Sequence, residues 1–177
     1  MAATWKLKFW RRCGETEKTP VLVILICSVQ MVALHNMKAE EIVIRRARPT
    51  ENDPVHALVQ AIANETFAYL FARSQVPIGE PNWMSAWVAI LREAIVGVTL
   101  TQNEWVSDLW VRSNSRRLGI GARLLAQAEL EIRGRGHETL RLRVVKSNIR
   151  AVHFYESKGW MVCREFPHEK FGHGCLK

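Results

Sequence analysis

The chain reads as a mixed α/β (α+β) protein, a mostly antiparallel, twisted sheet flanked by helices. Three observations predict it. Three strand-like stretches, Trp83 to Leu91, Ala94 to Thr101 and Glu104 to Val111, follow one another across the short turns Arg92-Glu93 and Gln102-Asn103, the spacing of antiparallel hairpins. The third stretch then passes through a Gly-rich turn, Arg116 to Ala122, into an amphipathic helix over 121–133. A strand, a short helix and another strand follow from Thr139 to Phe166. Antiparallel strands that feed strand–turn–helix units give a mixed sheet.

The 177 residues and the 48% apolar fraction suit one globular domain with a single substantial core. Residues 1–36 are unlike the rest. They hold five Lys/Arg and two Glu, a net +3 of the total +8. Lys6, Lys8, Arg11, Arg12 and Lys18 precede an apolar run from Val21 to Leu34 that contains Gln30. That run is about 14 residues, short of the roughly 20 that a spanning helix needs. The charged and apolar parts resemble a signal peptide, but no A-x-A site follows. The division is therefore an atypical extension over 1–36 and a domain over 37–177. Three readings fit the extension: an upstream artefact with Met37 as the true start, a membrane-associating anchor, or an extra helix packed on the domain. The first is the expectation taken here, and an N-terminal peptide upstream of Met37 in native protein would end it.

Glu41 to Ala47 is rich in β-branched residues and reads as the first strand. Thr50 and Pro54 mark a helix start. Val55, Leu58, Val59 and Ile62 then give the spacing of one helical face. A second helical piece is expected over 65–73, with a loop over 74–81. Phe67, Tyr69 and Phe71 lie in this region as core or pocket residues. In the helix after the Gly-rich turn, Ile120, Leu124, Leu125, Ala128 and Ile132 form the apolar face; Glu129, Glu131 and Arg133 are expected to face water. Gly134-Arg135-Gly136 ends it. Thr139 to Val145 places Leu140, Leu142 and Val144 on one side and Arg141 and Arg143 on the other, read as a solvated face. Asn148 caps a short helix whose inner face holds Ala151, Phe154 and Tyr155, and Gly159 ends it. Trp160 to Phe166 is a strand. The last strand, near Gly174 to Lys177, is very short, as in a chain cut short on the acceptor side of a pocket.

A Gly-rich turn before a helix leaves backbone N–H groups without intrahelical partners and aims the positive end of the helix dipole at one point. A pyrophosphate can sit there. Gly119 and Gly121 let the backbone approach it, and Arg116, Arg117 and Arg123 add positive charge. The third glycine of a dinucleotide fingerprint is missing, and Gly121-Ala122-Arg123 is not the Gly-Lys-Ser/Thr of a P-loop. The basic balance does not come with basic–aromatic runs, so nucleic acid is not the expected partner. The cysteines, Cys13, Cys27, Cys163 and Cys175, form no C-x-x-C pair, and reduced thiols are expected. His168, His173 and Cys175 lie close in sequence but in a loop and strand, so no metal site is expected.

A second stretch completes the pattern. Arg116, Gly119 and Gly121 match Arg/Gln-x-x-Gly-x-Gly/Ala, and Asn148, Ala151, Phe154, Tyr155 and Gly159 match Asn-x-x-Ala-x-x-Phe-Tyr-x-x-x-Gly-Phe, with Trp160 in the last place. In order and separation these resemble the GNAT superfamily of N-acetyltransferases, over roughly Glu41 to Lys177. The resemblance implies a GNAT-like acyl-CoA N-acyltransferase fold and acetyl-CoA as donor cosubstrate, with no metal. It implies direct attack by a primary amine, without a covalent enzyme intermediate. Leu109 and Val111 would belong to the strand that pairs with the pantetheine arm. The backbone from Arg116 through Arg117, Leu118, Gly119, Ile120 and Gly121 to Ala122 would hold the pyrophosphate. Asn148 would contact the pantetheine region, and Tyr155 would be the general acid. No motif fixes the base. Glu104 and Asp108 are four apart, so strict alternation puts them on one face with Val106 and Trp110; Glu104 is slightly preferred. Trp83, Trp87, Trp105 and Trp110 are either core or an apolar acceptor pocket.

The acceptor is a small-molecule or peptide amine that the sequence does not name. A homodimer is left open, and a membrane partner follows only if residues 1–36 are an anchor. A cytoplasmic location follows from the donor. The competing readings are a non-catalytic acyl-CoA-binding or regulatory module, and transfer of a longer acyl group.

Overall fold

The structure is a computed structural model, and it describes residues 6–12, 42–67, 76–79 and 81–167; side chains are described from Ile42 to Glu165. The elements are β1 (Lys6–Arg12), β2 (Ile42–Arg46), α1 (Asn52–Phe67), β3 (Trp87–Leu91), β4 (Ala94–Gln102), β5 (Trp105–Val111), α2 (Ile120–Gly134), β6 (Leu140–Val145), α3 (Ile149–Ser157) and β7 (Met161–Pro167). One seven-stranded sheet has the order β2-β3-β4-β5-β6-β1-β7. Every neighbouring pair is antiparallel except β5–β6, which is parallel. The expected mixed, mostly antiparallel sheet is the one observed.

The β3–β4 hairpin closes on Arg92 (φ 50) and Glu93 (φ 65), the two left-handed residues of the turn that matches strand twist. β4 is central, and Val96 to Thr101 are buried continuously. On one side of the sheet α1 sets Val55 and Val59 against Val88, Val98 and Leu100, with Trp83 in the same cluster. On the other, α2 sets Leu125, Ala128 and Ile132 against Val106, Leu140 and Leu142, and α3 adds Val152 and Tyr155. Burying side chains of this kind stabilises the domain by about 1.5–3 kcal/mol each. Gly97 of β4 lies so close beneath α2 that a Cβ there would stand 3.0 Å from Leu124 Cδ1 and 3.0 Å from the Trp110 carbonyl oxygen.

Several boundaries differ from the sequence reading. The helix expected in two pieces runs unbroken through Asn52–Phe67, because no breaker lies between Ile62 and Glu65. Tyr69, Phe71 and the rest of 68–75 lie outside the described residues, as do Met37, Cys13, Cys27, His168, His173 and the expected last strand at Gly174 to Lys177. Trp83–Ser85 is a 3-10 turn rather than the start of β3; Asn82 caps it by accepting from the Met84 N–H at 3.0 Å. Val152 is buried on α3, while Ala151 and Phe154 are only partly so. Glu131, expected in water, is nearly buried: it accepts from Trp87 Nε1 at 2.7 Å and pairs with Arg46 and Arg135. Burial raises its pKa, but these donors outweigh it and the net shift is downward. The strand Lys6–Arg12 is a placement that none of the three readings of the extension foresaw. Among the described residues, no helix is long and apolar enough to cross a membrane.

Candidate active site

The site begins where β5 and β6 part. They pair only at Trp105↔Arg141 and Val106↔Leu142. Beyond that point the backbones diverge, and a cleft of about 1030 Å³ opens in the wedge. Its walls are Ser107 to Val111 from β5, and Arg143 to Val145 with Ser147 and Asn148 from β6 and the turn after it. The Gly-rich turn, Phe154 and Tyr155 of α3, and Ile62, Glu65, Thr66 and Phe67 of α1 with Val76, Pro77 and Ile78 complete the lining. Gln60 and Asn64 hold that last segment: Gln60 Nε2 donates to the Val76 carbonyl at 2.8 Å, and the Val76 N–H donates to Asn64 Oδ1 at 2.9 Å.

The Gly-rich turn is shaped by two left-handed residues, Arg117 (φ 63) and Gly119 (φ 79). Gly119 is the N-cap of α2, and its carbonyl accepts from the Arg123 N–H at 3.1 Å. A left-handed non-glycine residue costs on the order of 1–2 kcal/mol, so Arg117 is held there by its surroundings. Arg116 supplies part of that hold. Its Nε donates to the Val111 carbonyl at 3.1 Å, and its guanidinium lies 3.8 Å from the Glu65 carboxylate. Gly121 leaves the helix end open to the cleft: a Cβ there would only just touch the Phe154 ring, at 3.4 Å. The lining carries Arg116, Arg117, Arg143, Arg150 and Lys158 against two carboxylates, Glu65 and Asp108. Arg143 lies over the Trp105 ring at 4.7 Å from its centroid and lines the cleft, so it is more than the solvated charge expected.

Asp108 and Tyr155 both line the cleft. Asp108 Oδ1 accepts from Trp110 Nε1 at 2.8 Å, and its backbone carbonyl accepts from the Thr99 hydroxyl at 2.8 Å. Burial raises the Asp108 carboxyl pKa; the Trp110 hydrogen bond opposes this without cancelling it. Tyr155 packs between Phe154 and Trp160, with ring centroids at 5.1 and 6.2 Å. Burial first, and then the Asp108 charge, push the Tyr155 hydroxyl well above its usual range.

The structure separates the two carboxylates that alternation put on one face. Leu100 pairs with Asp108 but Thr101 pairs with Val106, so Ser107 is an extra residue in β5. Such a bulge reverses the alternation beyond it. Val106 joins the core under α2, whereas Trp110 packs with the cluster under α1. Glu104 sits in the turn before β5, outside the cleft lining, 3.5 Å from Arg141. Of the candidate coenzyme residues, Leu109, Val111, Arg116, Arg117, Gly119, Gly121, Ala122 and Asn148 line the cleft. Leu118 and Ile120 pack their side chains into the core. Asn148 also caps α3, its Oδ1 accepting from the Ala151 N–H at 3.3 Å. Of the four tryptophans only Trp110 lines the cleft; Trp83 is fully buried, Trp87 bonds Glu131, and Trp105 lies beneath Arg143. Among the described residues, no group of three or more His, Cys, Asp or Glu is placed to hold a metal ion.

The sequence profile of the Acetyltransferase (GNAT) family matches residues 55–160, more than half of the chain. The chain belongs to the GNAT acetyltransferase family. Solved structures give the same fold. An acetyltransferase of the GNAT family from Novosphingobium aromaticivorans superposes with a TM-score of 0.58 at 16% identity, covering 92% of this chain and 62% of that one. A GCN5-related N-acetyltransferase from Sphaerobacter thermophilus gives 0.59 at 18% identity, over 93% of this chain and 50% of that one. A GNAT-family acetyltransferase from Staphylococcus aureus gives 0.52 at 18% identity, over 67% and 83%. This chain thus spans less than two thirds of the first of these proteins. At such identities the likeness is one of fold. No protein of curated function matches the chain. In this GNAT protein Arg116, Arg117, Gly119 and Gly121 of the first stretch and Asn148, Ala151, Phe154 and Tyr155 of the second line the same cleft.

Proposed function

We propose that the protein transfers the acetyl group of acetyl-CoA to a primary amine, by direct attack in a ternary complex. One observation carries the reading: the parting of β5 and β6 puts a helix N-terminus, a partly buried carboxyl and a buried tyrosine on one basic cleft. The chain's own residues suit the donor. The start of α2 and the cations beside it offer N–H groups and positive charge to a pyrophosphate. The edge of β5 from Leu109 to Val111 offers backbone groups to an extended amide arm, and the Asn148 side-chain amide can reach the same arm. A β5 N–H would stabilise charge developing on the thioester oxygen.

Between the two candidate bases, position in the cleft favours Asp108 over Glu104. A free alkylamine has a pKa near ~10.4 and must lose a proton to attack. Asp108 takes that proton, directly or through water; its raised pKa makes it a stronger base than an ordinary carboxylate. Tyr155 donates to the departing sulfur. The Asp108 charge holds the Tyr155 proton on, and protonation of Asp108 removes that hold. Tyr155 thus becomes a better acid after the amine proton has been taken, when the thiolate needs it. A cytosolic location follows from the supply of acetyl-CoA.

Titration of the full chain with acetyl-CoA, followed by a thiol-release assay over a panel of amines, tests this. Binding and turnover support it. Tight binding without turnover on any amine would favour a non-catalytic acyl-CoA-binding module, and preference for longer donors would favour a different acyl transfer. Absence of binding would overturn the reading.

A further inference from the structure

β1 comes before every other described strand, yet lies between β6 and β7. Along one edge it pairs Leu7↔Val145, Lys8↔Val144 and Phe9↔Arg143, continuing to Arg12↔Leu140. Along the other it pairs Lys6↔Pro167 through to Arg11↔Met161, with a register shift between Phe9 and Trp10. The positions on β6 matter. Arg143, Val144 and Val145 form one wall of the cleft, and they lie beyond the last β5–β6 pair, Val106↔Leu142. On the cleft side this stretch has no ladder partner among the described residues. Its backbone is held from the other side, by β1. β7 likewise has no strand neighbour among the described residues except β1.

We infer that the N-terminal segment Lys6–Arg12 is a positioning strand for the cleft: it occupies a strand-binding slot between β6 and β7 and thereby fixes the wall on which the coenzyme rests. The wedge exists because β5 lets go of β6. A wall released on one edge keeps its place only if the other edge is paired, since an unpaired extended stretch frays. The slot takes an extended backbone by main-chain pairing on both edges, a recognition mode that works in cis or in trans. The inference rests on the cleft being the acetyl-CoA site, and it gives residues 6–12 a duty that a chain starting at Met37 would leave unfilled.

The test uses the full chain and its Phe9→Pro variant, which removes a backbone donor and cannot sit in the interior of a sheet. Acetyl-CoA affinity is measured by calorimetry and backbone protection by hydrogen exchange. Expected is a loss of about tenfold or more in affinity, the equivalent of ordering one loosened residue. Exchange should become faster in Arg143 to Val145 and in β7, while β3 and β4 stay protected. A synthetic peptide of residues 1–12 added to the variant should restore binding; the same peptide carrying Phe9→Pro should not. Unchanged affinity with unchanged protection of Arg143 to Val145 would overturn the inference. So would loss of protection throughout β3 and β4, which would make β1 a general folding element. If the unaltered chain fails to bind acetyl-CoA, the proposed function falls, and the exchange of Arg143 to Val145 with and without the peptide still decides the role of β1.

Discussion

The two edges of β5 have opposite fates. Toward β4 the strand is paired from Gln102↔Trp105 to Gly97↔Val111, interrupted only by the bulge at Ser107. Toward β6 it is paired at two positions. The closed edge makes core: Val98, Leu100 and Val106 are buried there. The open edge makes the cleft. Buried backbone N–H and C=O groups must find partners, so an open edge inside a protein is tolerable where water or a ligand supplies them. The difference explains how one strand serves both stability and binding, and it separates the variants expected to affect each.

The largest effect is expected at the phosphate end of the open edge. Gly121→Glu should abolish acetyl-CoA binding, read by calorimetry, because the side chain enters the cleft with the charge of the ligand. Gly121→Ala should be tolerated, since its Cβ makes only ordinary contact with Phe154. Retained affinity in the Glu variant would move the phosphate site elsewhere. Next come the two proton-handling groups. Tyr155→Phe should lower kcat by about 10²–10⁴-fold with little change in coenzyme affinity; unchanged turnover would remove Tyr155 from the mechanism. Asp108→Asn should fall in the same range and also change the pH profile. With the Asp108 pKa raised, kcat/KM of the unaltered protein should decline on the acid side at a pH above the ordinary carboxylate pKa of ~3.9, as the base becomes protonated. That limb should vanish in the Asn variant, and its persistence would assign the base to another group. For stability the sign is opposite: a raised folded-state pKa disfavours the ionised carboxyl, so Asp108 lowers stability above its unfolded pKa and that penalty lifts as the pH falls.

The closed edge should respond in stability alone. Gly97→Ala puts a Cβ against the Trp110 carbonyl and Leu124, and should cost about 1–3 kcal/mol in chemical denaturation. An unchanged midpoint would mean that α2 can lift off β4 freely. Away from that edge, Glu104→Gln, at the half-buried pair with Arg141 of β6, should be the smallest, within about 0.5 kcal/mol and with turnover unaltered. A large loss of kcat there would return the base to Glu104.

The sequence carried the elements that local chemistry dictates. The apolar face of α2 from Ile120 to Ile132, the Asn148 cap and the left-handed Gly159 each answer to a residue type at a spacing. It did not carry what depends on pairing. The bulge at Ser107 leaves no local mark, because an extra residue in one strand is defined only against its partner, and so the common face of Glu104 and Asp108 failed. The Trp110–Asp108 hydrogen bond and the pinning of Val76 by Gln60 and Asn64 became visible only with the fold. A signal for Arg143 was present: it is the arginine that follows Leu142 on a strand between the Gly-rich turn and the Asn148 to Trp160 stretch. The strand Lys6–Arg12 was hidden more deeply. Its partners are Leu140 to Val145 and Met161 to Pro167, at the far end of the chain, and no window of sequence contains both.

That separation sets an order in time. Of the described strands, Lys6–Arg12 leaves the ribosome before the others and β7 after them. At synthesis rates of about 5–20 residues per second, the first strand waits on the order of ten seconds before its second edge can be covered. Until then the growing chain carries Lys6–Arg12 with an edge unpaired. A strand edge left open that long is one that a neighbouring copy can pair with.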